Sequence, residues 1–251
     1  MDSFRPSALA GDLVHIATAP IRMDRNRRFR LAAMAGATAL MIYGLDRRVD
    51  EEYGVRQGSV PLRLPDAMTR VGEFYDNTSS LYFTLGAVGG AALAGAVTGN
   101  RGLVETAGIA LESVGITKLI TQVFKRSIGR SRPIENSGPR EFFPLEFAVA
   151  RDRRSMPSGH TSSAFALASV FASRYPSPYI AIPLYGFAAS VAMQRIDSRS
   201  HWLSDVFVGG ALGTLVGRSL VRRHGGPAAS KVVLVPSVGG GRYGTALVIR
   251  L

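Results

Sequence analysis

Two of the chain's four histidines stand beside residues that could put an imidazole to work. In RSMPSGHTSSAFALA, Arg154 to Ala168, His160 follows a Pro157-Ser158-Gly159 turn and opens a helix-like apolar run. In QRIDSRSHWLSD, Gln194 to Asp205, His201 has Asp205 one helical turn further on, on the same face. A third block, KRSIGRSRP, supplies cations at Lys125, Arg126, Arg130 and Arg132, and Arg195 adds another beside His201. These are the parts of a phosphoryl-transfer site. Charge spreads over the equatorial oxygens of that transition state, and positioned cations and N–H donors stabilise it. Helix N-termini bind phosphate, Ser158-Gly159-His160 sits at one, and glycine lets the backbone approach an anion closely. A neutral imidazole attacks phosphorus if a carboxylate holds its other nitrogen.

Taken singly, each block has a plainer reading. The cations of 125–132 are also what a solvated charge run at a helix end looks like. Ser158 is a good N-cap, and His201 with Asp205 is also an ordinary pair near a helix start. His15 and His224 show no partner and are expected in solvent. No Asp, Glu and His cluster has metal-ligand spacing, so no metal and no cofactor are expected. The residues themselves leave open which histidine attacks, and Asp205 after His201 is the one local hint.

The elements that must position these blocks are apolar segments at roughly 31–45, 78–99, 103–122, 159–174, 177–194 and 204–220. They lack strict alternation and are rich in Ala, Gly and Leu, which predicts helices. Asn77 to Asn100 and Tyr175 to Gln194 are long enough to span a bilayer without a charge. Gly89, Gly90, Gly95, Gly209 and Gly210 suit close helix packing. Arg22, Arg25, Arg27, Arg28 and Arg30 precede the first segment, and RSLVRRH follows the last. Both ends are cytoplasmic under the positive-inside tendency. Six spans then place 46–77, 123–158 and 195–203, hence all three blocks, on the opposite face. The 251 residues carry a formal charge of +12, nearly all of it arginine, which fits an anionic membrane surface or phosphorylated substrate. Charged residues make up only 19% of the chain against 46% hydrophobic, which argues against a nucleic-acid partner. With no cysteines, neither disulfides nor thiolate metal sites are possible. No cleavable signal peptide is visible. In the tail, Lys231 to Pro236 and Thr245 to Leu251 predict two short strands joined by a glycine-rich turn.

The three blocks in order resemble the type 2 phosphatidic acid phosphatase (PAP2) superfamily, which includes bacterial class A acid phosphatases and vanadium haloperoxidases. The family signature is Lys-x6-Arg-Pro, Pro-Ser-Gly-His and Ser-Arg-x5-His-x3-Asp. Lys125 to Pro133, Pro157 to His160 and Arg195 to Asp205 match it, with Gln194 where the family usually has serine. The spacing selects Arg195 over Arg199. The resemblance implies an all-α fold with a six-helix core bundle at 31–224, expected to be transmembrane, between a basic 1–30 segment and a 225–251 tail with the small β-hairpin. It implies His201 as nucleophile forming a phosphohistidine, Asp205 orienting it, and His160 as general acid and then base. Lys125, Arg132, Ser158, Gly159 and Arg195 would bind the phosphate. The implied activity is metal-independent phosphomonoester or diphosphate hydrolysis on lipid phosphates such as phosphatidic acid, phosphatidylglycerol phosphate or undecaprenyl diphosphate. The opposite protonation demands on the two histidines predict a bell-shaped pH profile. The implied location is multi-pass in a bacterial inner membrane, with the site on the periplasmic face. The rival readings are a soluble periplasmic acid phosphatase, a vanadium haloperoxidase, and a membrane protein that binds phospholipid without hydrolysis.

Overall fold

The computed structural model describes residues 6–55, 66–77, 79–145, 151–226, 232–239 and 242–249. Its helices are α1 Pro6–Ala17, α2 Arg25–Leu40, α3 Asp46–Val49, α4 Asp66–Asn77, α5 Ser80–Val97, α6 Arg101–Ile128, α7 Gly159–Arg174, α8 Pro178–Asp197 and α9 Leu203–Arg223. Wide π-helical turns at Met41–Leu45 and Asp50–Val55 continue α2 and α3. Each of the six apolar segments has a helix as its main part, namely α2 and α5 to α9. Beyond them, Val232–Gly239 and Arg242–Ile249 lie antiparallel, Val232 opposite Ile249 and Gly239 opposite Arg242.

Besides the single turn of α3, two helices of 12 residues each were not expected. The 1–30 segment, read as a polar basic arm, contains α1, because Leu13 and Ile16 give it an apolar edge that packs on the main core. The connection 46–77 contains α4, whose Tyr75 is buried between α7 and α8. α2, in contrast, has no buried residue.

α7 is the central post. On one side Ala166, Leu167 and Val170 join Ala107, Ala110 and Val114 of α6 and Val216 and Leu220 of α9. On the other, Ala164 and Ala168 meet Tyr75, Ala188 and Val191. A helix buried on both sides has room only for small side chains, and α7 supplies Thr161, Ser162, Ser163 and Ser169 as well as alanines. α9 approaches it through Gly209, Gly213 and Gly217, one helical turn apart. A Cβ on Gly213 would stand 2.1 Å from the Ser162 carbonyl oxygen, which no relaxed structure tolerates.

The exterior is apolar where the core is small and polar. Leu81, Leu85, Leu93 and Val97 of α5 and Leu111, Leu119, Val123 and Phe124 of α6 are exposed. Thr106, Ser113, Thr117 and Thr121 of α6 face inward. Among the described residues one helix, Ser80–Val97, is long and apolar enough to cross a membrane. α8, expected to be a second, carries Pro183 within it and does not reach that standard.

α6 ends at Gly129 in the left-handed conformation, φ 60°, with its N–H bonded to the Lys125 carbonyl. A side chain there would also collide with the Phe143 carbonyl, 2.0 Å from a Cβ. This stop turns the chain across the end of the bundle, so that Arg130 pairs with Phe142. The KRSIGRSRP block therefore lies over the N-termini of α7 and α9.

Candidate active site

The three blocks meet at this end of the bundle. Lys125 comes from the last turn of α6, His160 from the first turn of α7 and Arg195 from the last turn of α8. Arg132 and His201 lie on the connecting loops, and Asp205 opens α9. The Ser158 N–H donates to the Asp205 carbonyl at 3.0 Å, tying the start of α7 to the start of α9.

Asp205 is fully buried and fully bonded. Arg130 Nη1 donates to Oδ1 at 2.6 Å; the Ser155 hydroxyl and the Trp202 N–H donate to Oδ2 at 2.5 and 2.9 Å. His201 Nδ1 stands 3.8 Å from Oδ2, beyond direct hydrogen-bond distance, but 3.4 Å from the Ser155 oxygen. Ser155 thus bridges the pair. With its hydrogen given to Asp205, its oxygen can only accept from Nδ1–H, which leaves the lone pair on His201 Nε2. Burial and the nearby cations Lys125 and Arg132 push His201 down to about 3, so the imidazole is neutral at physiological pH.

The cations crowd one another. Burial first, and then repulsion from Arg132, Arg154 and Arg195, lowers Lys125 to about 8; its Nζ donates to the Arg154 carbonyl at 2.8 Å. Burial and Arg195 also lower Arg132, whose buried Nε has no hydrogen-bond partner among the described residues. Arg195 is held by Gln194, whose Oε1 accepts from Nε at 2.7 Å, and by Asp76 of α4 at 2.5 Å. Gln194, the one departure from the family signature, therefore orients a signature arginine. His160 lies between them, Nδ1 3.5 Å from Arg195 and Nε2 3.6 Å from Asp76, with Tyr75 edge-on to its ring.

Ser158 occupies the N-cap position of α7, but its hydroxyl makes no capping bond; it lies 3.0 Å from the Thr161 hydroxyl. Its carbonyl instead accepts from the Ser162 N–H and hydroxyl. A Cβ on Gly159 would stand 3.7 Å from Thr121 Cγ2 and 3.9 Å from Lys125 Cε, so the glycine lies beside the lysine. The structure thus brings together all eight residues singled out from the sequence.

It also adds residues that the sequence did not. Arg130 is not a solvated charge. It is fully buried, donates to Asp205, Asp46 and the Pro139 carbonyl, and lies against the rings of Phe142 and Trp202. Asp46, raised by burial, also accepts from the Ser204 N–H and hydroxyl. The only sequence signal for Ser155 was its place two residues before Pro157. Asp76 had none. Arg199 is engaged elsewhere, on both oxygens of Asp50 at 2.8 Å and on Asn136.

The PAP2 superfamily model matches residues 106–226. The lipid A 1-phosphatase of Porphyromonas gingivalis is 45% identical over 65 residues, which is 25% of this chain and 15% of that protein. The crystal structure of Aquifex aeolicus LpxE superposes with a TM-score of 0.51 at 22% identity, over 72% of this chain and 96% of that one. The matched region runs from within α6 to just past the end of α9, the stretch that carries every signature block, and over that stretch the chain is similar to the PAP2 superfamily.

Proposed function

We propose that this chain is a membrane-embedded phosphatase that removes phosphate from lipid headgroups at the extracytoplasmic face, through a phosphohistidine and without a metal at phosphorus. The observation that carries this reading is the crowding of Lys125, Arg132 and Arg195 around two imidazoles, one of them presenting a free nitrogen. A phosphate brought among these cations offsets their mutual repulsion.

In the first step His201 Nε2 attacks phosphorus. A P–N bond forms, the bond to the lipid oxygen breaks, and His160 gives that oxygen a proton. In the second, His160 takes a proton from water, whose oxygen attacks phosphorus and displaces Nε2, releasing inorganic phosphate. Lys125, Arg132 and Arg195 hold the non-bridging oxygens with the Ser158 hydroxyl and the Gly159 N–H. Asp205, acting through Ser155, keeps the proton on Nδ1 and compensates the charge on the phosphorylated ring.

The apolar exterior supports a lipid environment, since an exposed patch of this kind is unfavourable in water. Arg25, Arg27 and Arg28 at the start of α2 and Arg222 and Arg223 at the end of α9 support a cytoplasmic assignment for the end away from the site. The 65-residue likeness to a lipid A 1-phosphatase supports a phosphorylated glycolipid of the lipid A 1-phosphate class as substrate.

Phosphate release from lipid A, phosphatidic acid and undecaprenyl diphosphate by the purified chain tests this directly. His201→Ala should lose about 10³-fold or more in kcat and all acid-labile label from a radiolabelled substrate. Arg199→Ala should lose less than about tenfold, because its side chain reaches Asp50, Asn136 and the Pro133 carbonyl but none of the proposed phosphate-binding side chains. Equal losses would overturn the assignment. Turnover should survive EDTA; abolition by chelation with recovery in Mg²⁺ would rule out the mechanism.

A further inference from the structure

At the other end of the bundle, three residues from three helices converge. Asp12 of α1, Glu112 of α6 and His224 at the C-terminal cap of α9 place one ligand atom each within 4.8 Å of one another. His224 Nε2 lies 2.9 Å from Asp12 Oδ2 and 3.5 Å from Glu112 Oε2. Asp12 is buried, and the Glu112 side chain is only 4% exposed. Along α9 this cluster is about 28 Å from Asp205, counted at the helical rise per residue.

Glu112 is the second, independent observation. Both its carboxylate oxygens are buried without a hydrogen-bond donor among the described residues, and Oε2 is directed at the His224 nitrogen. Asp12 already has Arg223, whose Nε reaches Oδ1. Among the described residues, two carboxylates and one imidazole therefore face each other with one fixed cation, Arg223, in contact. A buried carboxylate with no donor is costly unless a cation or proton satisfies it.

We propose that Asp12, Glu112 and His224 bind one divalent transition-metal ion of the zinc class. Ligands about 2.1 Å from a shared ion stand about 3.4 Å apart in a tetrahedral arrangement and about 3.0 Å at a right angle. The two distances from His224 Nε2, 3.5 and 2.9 Å, fall at about these two spacings, the shorter being a hydrogen-bond distance as well. An imidazole with two carboxylates suits zinc better than magnesium or calcium, which favour all-oxygen sets. Arg223, on the far oxygen of Asp12, orients that ligand, as outer partners of metal ligands do. The role is structural: the ion fastens α1 to α6 and α9. It also corrects two expectations. His224 is not solvent-exposed and unpartnered, nor is His15, which lies 3.3 Å from Arg22 and 3.4 Å from the Ser219 hydroxyl, and a ligand-like cluster exists that sequence spacing could not reveal.

The test uses the purified full chain, stripped with EDTA and titrated with ZnCl₂, MnCl₂ or MgCl₂, reading bound metal by mass spectrometry and the thermal midpoint. One zinc per chain should be retained after desalting, with a rise of several degrees in midpoint and a much weaker response to Mg²⁺. Glu112→Gln and His224→Gln should lose both metal and shift, while His15→Ala should keep both. Absence of bound zinc in the wild type, or undiminished binding in Glu112→Gln, would overturn the site. So would a wild-type midpoint indifferent to every ion, the result expected if a proton shared by the two carboxylates takes the metal's place. Phosphatase turnover measured well below the midpoint should be the same with and without zinc, which keeps this question apart from the proposed mechanism.

Discussion

Lys125 is the side chain whose charge the proposed reaction can least spare, and its surroundings make that charge conditional. Burial and the neighbouring arginines lower it to about 8. A lysine holds its proton below its pKa, so Lys125 is charged up to about pH 8 and loses its charge as pH rises through that value. The profile of kcat/KM, which reports the free enzyme, should therefore fall above about pH 8. In kcat the fall should move upward, because a bound phosphate favours the charged form. Lys125→Arg, which cannot deprotonate in this range, should remove the alkaline fall from whatever activity remains. The same fall in that variant would show that another group sets it. His201, held near 3, does not shape the rate above about pH 4 through its own protonation. At this scale the signature residues were legible, because their spacing is local and each residue type fixes what it can donate or accept. Ser155, Asp76 and the Arg130–Asp46 pair were not. Their roles depend on partners 50, 119 and 84 positions away in the chain, and no local pattern records such a meeting. The Ser158 hydroxyl shows the converse: its type announced a cap, but the buried Thr161 hydroxyl is its partner.

At the scale of elements, what holds the site is the seam between α7 and α9. These helices carry His160 and Asp205, and their first turns are joined by the Ser158 N–H bond to the Asp205 carbonyl. The seam depends on glycine because backbone meets backbone across it. A Cβ on Gly213 would enter the Ser162 carbonyl, and one on Gly217 would stand 2.0 Å from the Ser169 hydroxyl oxygen. Gly213→Ala should destabilise the protein by about 1–3 kcal/mol, as overpacking does, despite alanine's better helix propensity. Thermal unfolding in detergent measures this; an unchanged midpoint would mean that the helices separate without cost. Gly210→Ala is the control, since its nearest neighbour atoms are on the Phe165 ring at 3.4 Å, which can give way. The helices themselves are legible in their apolar runs, and Gly209 and Gly210 suit packing positions by residue type alone. α1 and α4 escaped notice because each is short and only one edge is apolar; Leu13, Ile16 and Tyr75 acquire meaning only against the core they touch.

At the scale of the molecule, the two ends carry opposite burdens. One end gathers Lys125, Arg132, Arg154 and Arg195 around the proposed phosphate site; the other has the arginines that flank α2 and α9 and the cluster of Asp12, Glu112 and His224. Between them the exposed surface is rich in large apolar side chains, although among the described residues one helix reaches spanning apolarity. The sequence conveyed this polarity through charge, since arginine runs are visible without coordinates. It did not convey how the exposed apolar surface is shared among the helices, because small polar residues on buried faces dilute the apolar runs, as Thr106, Ser113, Thr117 and Thr121 do in α6. The proposed orientation can be read chemically, because the chain has no cysteine and any introduced thiol is unique. Glu141 is exposed beside the site, its carbonyl accepting from the Ser131 N–H, and Arg25 is exposed at the start of α2. In intact cells with the outer membrane opened, a membrane-impermeant maleimide should label Glu141→Cys, and should label Arg25→Cys only after the inner membrane is permeabilised. The reverse pattern would turn the reacting end towards the cytoplasm and remove outer-leaflet lipids from its reach. Labelling of both without permeabilisation would refute the spanning arrangement itself.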